Sequence, residues 1–416
     1  MAVVLVVQNA AGLIQVAVRA ERLKAGAAMK ELAIVPDGAL VVKDDKISWI
    51  GRTSELPPQP TDAEILDAAG RIVLPGLVDS HTHLLFAGTR EDEFAERIRG
   101  VSYREIAERG GGINSTVRSV RAASKSELKE LARPRLDRML ALGVTTVEVK
   151  SGYGLSPSDE IKCLEAIAEL NREHACDLVP TFLGAHEVPP EYRNDRAGYV
   201  DLLVERMLPE VADRGLAAFC DVFCEQGVFS IEESERILRA AAKRRLGLKI
   251  HADEFTPLGG AELAARVGAA SADHLLHVTA AGAAAMRAAG TVATLLPGTA
   301  FFLGLDYARA RWLIDQGLAV ALASDCNPGS CMTENLPLIG TMACTQMKMD
   351  PAEVVTALTL NAAAALARSD RIGSLEVGKQ ADFVILDLPN YRLFPYHFGV
   401  NHVWRVVKSG RVVVRA

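Results

Sequence analysis

The sequence predicts an α/β fold: a (β/α)8 TIM-like barrel with a small β-sandwich domain built from both chain termini. Three observations carry this expectation. Between residues 75 and 370, short apolar runs alternate with Ala-, Leu-, Arg- and Glu-rich stretches of helical character. That is the pattern of buried parallel strands covered by helices. Histidines and acids recur at the ends of those runs, and both flanks of the region are β-rich instead.

Composition sets the outer bounds. With 416 residues and 49% hydrophobic content, the chain can bury a large core and holds more than one structural unit. Lys and Arg number 46 against 52 Asp and Glu, a net charge of −6, and no basic cluster occurs. No nucleic-acid partner is therefore expected. The seven cysteines include no C-x-x-C pair and are odd in number, which fits free thiols in a reducing compartment. The apolar run at residues 1–7 is too short for a signal or a span, and no apolar stretch of about 20 residues follows. The expectation is a cytoplasmic protein with no membrane partner.

The chain divides, on this reading, into residues 1–74 plus 371–416 as the small β domain and residues 75–370 as the barrel. In the first segment, residues 3–7, 38–42 and 46–50 are short β-rich runs, with Lys43-Asp44-Asp45 as a hairpin turn between the last two. Pro57, Pro58 and Pro60 then interrupt the chain. Eight barrel strands follow at 78–83, 145–150, 178–186, 219–225, 248–254, 271–276, 292–297 and 320–325, each read as nearly all apolar. After residue 370, a turn and strand are expected within 373–387. Two more strands, 403–407 and 411–415, flank a turn at Ser409-Gly410.

A barrel of this kind places its site at the C-terminal ends of the strands. Those ends carry His81 and His83, Lys150, His186, Glu225, His251 and Glu254, His274, and Asp325, which gathers five of the nine histidines at one mouth. His81 and His83 are two apart on a strand, so their side chains project to the same side and form half a chelate. His251 and Asp325 are the candidates to complete it. Alone, His251 reads as a core histidine and Asp325 as a helix cap; together at strand ends they read as ligands. Three imidazoles and a carboxylate suit one Zn2+ or Fe ion per chain and leave a position for water, whose pKa such an ion lowers toward about 7. Glu254, three residues past His251, is placed to move a proton between that water and a leaving nitrogen. His274 is placed to polarise a carbonyl or hold the nucleophile, and His277 reads as structural.

These residues resemble the amidohydrolase superfamily of metal-dependent hydrolases, a likeness that spans essentially the whole chain. It rests on Pro75-Gly76-Leu77-Val78-Asp79-Ser80-His81-Thr82-His83, on His251, His274 and Ser324-Asp325, and on the return at 373–387. Longer motifs are similar to the branch that opens the imidazolone ring in histidine breakdown. These are residues 86–94, 110–113, Glu148-Val149-Lys150-Ser151-Gly152-Tyr153-Gly154-Leu155, 181–186, 251–254 and 324–330. The resemblance implies hydrolysis of a small molecule, 4-imidazolone-5-propanoate, to N-formimidoyl-L-glutamate. It implies His81, His83, His251 and Asp325 on the metal, and Glu254, His274 and Asp325 as catalytic groups. Arg90, Tyr153, His186 and Glu254 would surround the substrate, with Asn327, Gly329 and Ser330 as further contacts.

An Arg supplies a two-pronged partner for a propionate; otherwise Arg90 reads as a surface pair with Glu91, Asp92 or Glu93. A nucleobase deaminase would share the barrel and the metal set but would bring no carboxylate to Arg90. A metal-free scaffold would have no use for an intact ligand set. Lys150 lies on the second strand rather than the fourth, so it reads as structural and not as a metal-bridging lysine. A homodimer is expected from base rate alone.

Overall fold

The computed structural model describes all residues except 1–3, 19, 102–104, 107–108 and 416. Eight parallel strands make the barrel, in the spatial order of the chain. They are β6 (Leu77–Asp79), β7 (Val144–Lys150), β8 (Asp177–Ala185), β9 (Phe219–Cys224), β10 (Gly247–Ala252), β11 (Ser271–His274), β12 (Val292–Leu295) and β13 (Val320–Leu322). Every strand expected from the sequence is present, most of them ending earlier, because the site residues sit in the turns just beyond. Helices such as Lys125–Ala141, Pro157–Glu173 and Ile231–Lys243 cover the outside. Ser124, Ser156 and Ser230 cap their starts through side-chain bonds to backbone N–H groups.

The ends of β6 and β13 are joined by the site itself. Asp325 N donates to His81 O at 3.0 Å and His83 N to Cys326 O at 3.0 Å, while Asp79 Oδ1 accepts from Ser324 N at 3.0 Å. A parallel bridge between Thr82 and Cys326 lies between these bonds. Barrel closure and the convergence of His81, His83 and Asp325 are thus one event.

Alternation along the strands separates two environments. On β7, Val147 and Val149 pack outward into the apolar core beneath the helices, and on β10 Leu248, Ile250 and Ala252 do the same. The intervening residues Thr146, Glu148 and Lys150 of β7, and Lys249 and His251 of β10, are equally buried but polar. The nearly all-apolar strands expected from the sequence therefore describe only the helix-facing side. The other side carries buried charge, with Asp221 of β9 and Asp273 of β11.

The terminal segments share one sheet with strand order β16-β15-β14-β5-β1-β2-β3, with β4 beside β1. Its strands are β1 (Val4–Ile14), β2 (Ile34–Lys43), β3 (Lys46–Arg52), β4 (Glu64–Asp67), β5 (Ile72–Pro75), β14 (Phe383–Leu386), β15 (Val403–Lys408) and β16 (Arg411–Arg415). β1 and β2 run well past the spans expected; Val3, the first residue of the expected N-terminal strand, lies outside the described residues. Leu5, Val7, Leu40, Val42, Phe383, Ile385 and Val407 meet in one cluster, so strands from both termini close over a shared core. The Ser409-Gly410 turn has φ of +48° and +76°, the left-handed pair that suits a two-residue hairpin.

Candidate metal centre and substrate cavity

Two of the predicted histidine ligands are held by carboxylates, whereas His83 Nδ1 has no hydrogen-bond partner among the described residues. His81 Nδ1 lies 2.6 Å from Asp273 Oδ2, and His251 Nδ1 lies 3.1 Å from Asp221 Oδ1. A carboxylate partner fixes the proton on Nδ1, so both rings present the Nε2 lone pair. His81 Nε2 and Asp325 Oδ1 are buried and lack a hydrogen-bond partner among the described residues, yet they face each other at 3.6 Å. His83 Nε2 is 3.5 Å from the same Asp325 oxygen and 3.3 Å from His251 Nε2. Ligands about 2.0–2.1 Å from a tetrahedral Zn2+ stand roughly 3.3 Å from one another. His81, His83 and Asp325, whose ligand atoms lie within 4.8 Å of one another, therefore fit a metal ion, with His251 Nε2 beside His83. The unpartnered His81 Nε2 and Asp325 Oδ1 meet at a separation a cation would impose.

The other Asp325 oxygen accepts from Thr299 Oγ1 at 2.5 Å, which fixes the carboxylate's orientation. Burial lifts its pKa to about 6 in the metal-free protein, against the pull of Thr299 and His251. His274 lies at the same place: its ring nitrogen and those of His81 and His251 are within 4.8 Å of one another. His274 and Asp325 have φ of +79° and +53°, left-handed backbone at strand ends, a strain that the surrounding bonds hold in place.

Above this cluster opens a cavity of about 800 Å³. Its walls include His83, Arg90, Tyr153, His186, His251, Glu254, His274, Asp325, Asn327, Gly329 and Ser330. Of the residues predicted for the site, only His81 is missing from the lining, since it is fully buried beneath. Glu254 Oε1 stands 3.5 Å from His274 Nδ1, and burial followed by Asp325 and Glu225 raises its pKa well above the usual carboxylate range. A carboxyl held toward its protonated form beside His274 is a candidate proton carrier.

The walls are positioned by local networks. Arg90 precedes the helix Glu91–Ile98; its Nε donates to Glu93 Oε2 at 2.7 Å, and Nη2 lies 2.7 Å from the same oxygen as an ion pair. The pairing with Glu93 expected of a surface arginine does form, but on the cavity wall, with the Arg90 side chain only 9% exposed. The Tyr153 loop is anchored by fully buried Glu160, whose carboxylate accepts from the N–H groups of Gly152, Gly154 and Leu155 at 2.8–3.1 Å. His186 Nδ1 donates to Gly152 O at 2.9 Å and its ring stacks on His83, with centroids 4.8 Å apart. Burial, then the neighbouring His251 ring, pushes its pKa down to about 3, so it is neutral with Nε2 available.

Asn327 spends its amide inside its own loop. Nδ2 donates to Asp325 O and Ser330 Oγ, and Oδ1 accepts from the N–H groups of Gly329 and Ser330, all at 2.7–2.8 Å. Lys150 Nζ lies 2.8 Å from Glu148 Oε1 and 2.7 Å from Asp221 Oδ2, a plain ammonium between carboxylates. His277 is exposed.

Sequence reasoning missed Asp221, Asp273 and Thr299, which orient the ligands, and Arg97, which lines the cavity and donates to Gly329 O at 3.2 Å. For Asp221 and Asp273 the available signal was a charged residue at an inward position of an apolar strand; Thr299 and Arg97 lie on helices and carried no such signal. Among the described residues, no helix is long and apolar enough to cross a membrane.

The amidohydrolase family profile matches residues 72–413. The imidazolonepropionase of Symbiobacterium thermophilum is 54% identical over 397 residues, covering 94% of this chain and 93% of that protein. The imidazolonepropionase of Parabacteroides distasonis is 48% identical over 410 residues, covering 98% of each. Among solved structures, guanine deaminase from E. coli aligns with a TM-score of 0.74 at 17% identity over 99% of both chains. A 5-methylcytosine deaminase from Klebsiella pneumoniae aligns with a TM-score of 0.76 at 18% identity, over 99% of this chain and 97% of that one. At such identities the two deaminases establish the fold alone. By profile and by full-length likeness, the chain belongs to the amidohydrolase family, in its imidazolonepropionase branch.

Proposed function

We propose that the chain hydrolyses 4-imidazolone-5-propanoate to N-formimidoyl-L-glutamate, the ring-opening step of histidine degradation. The observation that carries this reading is the joining of one cavity to full-length likeness. The His and Asp cluster and the Arg90 guanidinium open into the same space, in a chain about half identical to imidazolonepropionases.

His81, His83, His251 and Asp325 would hold one Zn2+ or Fe ion, a donor set that suits both. When bound, such an ion supplies Lewis acidity and a solvent-derived nucleophile at neutral pH. Arg90 binds the propionate and is held in orientation by Glu93, which fixes how far the ring reaches toward the ligand cluster. Tyr153 and His186 flank the flat ring, and the His186 Nε2 lone pair accepts a ring N–H. Glu254 takes the proton of the attacking water, with Asp325 as the second carboxylate in reach. His274, beside Glu254, steadies the charge that develops on the carbonyl oxygen. Glu254 then returns the proton to the departing ring nitrogen, and the C–N bond opens. Asn327 shapes the 327–330 loop so that Gly329 and Ser330 close the wall beneath Arg90.

Purified protein mixed with freshly generated imidazolonepropanoate tests this. The reading predicts metal-dependent loss of substrate absorbance with N-formimidoylglutamate as the product by mass spectrometry. No product, with guanine or cytosine deaminated instead, would overturn it.

A further inference from the structure

Beneath the ligand cluster, two chains of charge run inward from two different histidines and meet at one carboxylate. From His251, Asp221 leads to Lys150 Nζ at 2.7 Å and on to Glu148 Oε1 at 2.8 Å. From His81, Asp273 leads to Lys249 Nζ at 3.5 Å, which lies 4.0 Å from the same Glu148 oxygen. Thr181 Oγ1 donates to that oxygen at 2.6 Å. The Glu148 backbone joins in as well, since its carbonyl accepts at 2.5 Å from the hydroxyl of Thr82, the residue between His81 and His83. All five charged side chains are fully buried.

We propose that Glu148 is a positioning residue that couples the two histidine ligands and sets the affinity of the site for its metal ion. This rests on the metal reading given above. Three carboxylates (Glu148, Asp221, Asp273) face two ammonium groups (Lys150, Lys249), so the network carries one net negative charge beneath the position of the cation. Without the Glu148 charge, Lys150 pairs with Asp221 alone, while Lys249 keeps Asp273 beside its bonds to Ser271 Oγ at 2.7 Å and Ser80 O at 3.2 Å, so the lysines draw those two carboxylates away from the imidazole N–H groups. The compensating charge below the ion is lost at the same time. Groups behind metal ligands typically alter affinity by about 10- to 100-fold.

The experiment measures Zn2+ affinity of the full chain by competition with a chelating dye, and thermal unfolding of the metal-free and Zn-loaded forms. Wild type is compared with Glu148→Gln and Thr181→Val. The expected result is one Zn2+ per wild-type chain and an affinity about 10- to 100-fold weaker in Glu148→Gln, with the loaded form losing more stability than the metal-free form. Unchanged Zn2+ affinity, with both forms destabilised equally, would show an ordinary core ion pair and overturn the inference. If Glu148→Gln does not fold, Thr181→Val decides: a several-fold weaker affinity supports the coupling, and wild-type affinity overturns it. A wild-type chain that takes up neither Zn2+ nor Fe2+ overturns the metal reading itself, and this inference with it.

Discussion

Gly329 lies directly against the guanidinium of Arg90. A Cβ at Gly329 would stand 2.9 Å from Arg90 Cζ and closer still to Nη1, so only glycine leaves the arginine its place on the cavity wall. Gly329→Ala should displace Arg90 and raise KM for the imidazolone substrate by about 10-fold, with a smaller change in kcat, because the lost interaction is uniform binding. Steady-state kinetics checks this; an unchanged KM would separate Arg90 from the substrate.

Arg90→Lys keeps the charge but loses the planar fork. Loss of a charge-assisted pair worth about 1.5–3 kcal/mol lowers kcat/KM by roughly 10- to 100-fold. The fall should be much smaller for a substrate ester lacking the free propionate charge, which a comparison of the two substrates reads directly.

Glu254→Gln removes the carboxyl beside His274 without changing its size. General acid–base groups contribute about 10²- to 10⁴-fold, so kcat should drop by that order while metal content stays at the wild-type level. Metal analysis alongside the kinetics separates this outcome from a damaged ligand set.

Glu160→Ala leaves the N–H groups of Gly152, Gly154 and Leu155 without their shared acceptor. Each unsatisfied buried N–H costs about 1–3 kcal/mol. The melting temperature should fall by several degrees and KM should rise, since Tyr153 rides on this loop. Differential scanning calorimetry with parallel kinetics tests both.

On the outer surface, Lys125, Lys129 and Arg133 of one helix face Glu165, Glu169 and Glu173 of the next as an ion-pair ladder. Hydrogen bonds from Lys125 and Lys129 lower the Glu169 pKa from 4.5 to about 2. A carboxylate depressed on folding stabilises the native state above its unfolded pKa and loses that contribution as pH falls through the folded value. Glu169→Gln should therefore flatten the decline in stability between pH 4.5 and 2 and reduce its salt dependence, followed by urea unfolding across pH.

How far the sequence alone reaches follows from the strand ends. His81, His83, His251 and Asp325 were legible because a parallel barrel collects strand termini at one mouth, and short apolar runs mark those termini. Arg90 and Tyr153 became legible through motif resemblance, since a loop arginine or tyrosine carries no signal of its own. Asp221, Asp273, Glu148 and Lys249 stayed hidden because a charge inside an apolar run has meaning only once strand register shows which partner it meets. The amide of Asn327 turns out to be spent inside its loop, a balance of donors and acceptors that residue spacing does not reveal.

Anomalous diffraction at the metal absorption edge, from crystals of the metal-loaded protein, addresses the central claim most directly. The arrangement described here predicts one peak per chain about 2.0–2.2 Å from His81 Nε2, His83 Nε2, His251 Nε2 and Asp325 Oδ1. A peak bound instead by His81, His251 and His274, with His83 and Asp325 out of reach, or no peak at all, would contradict it.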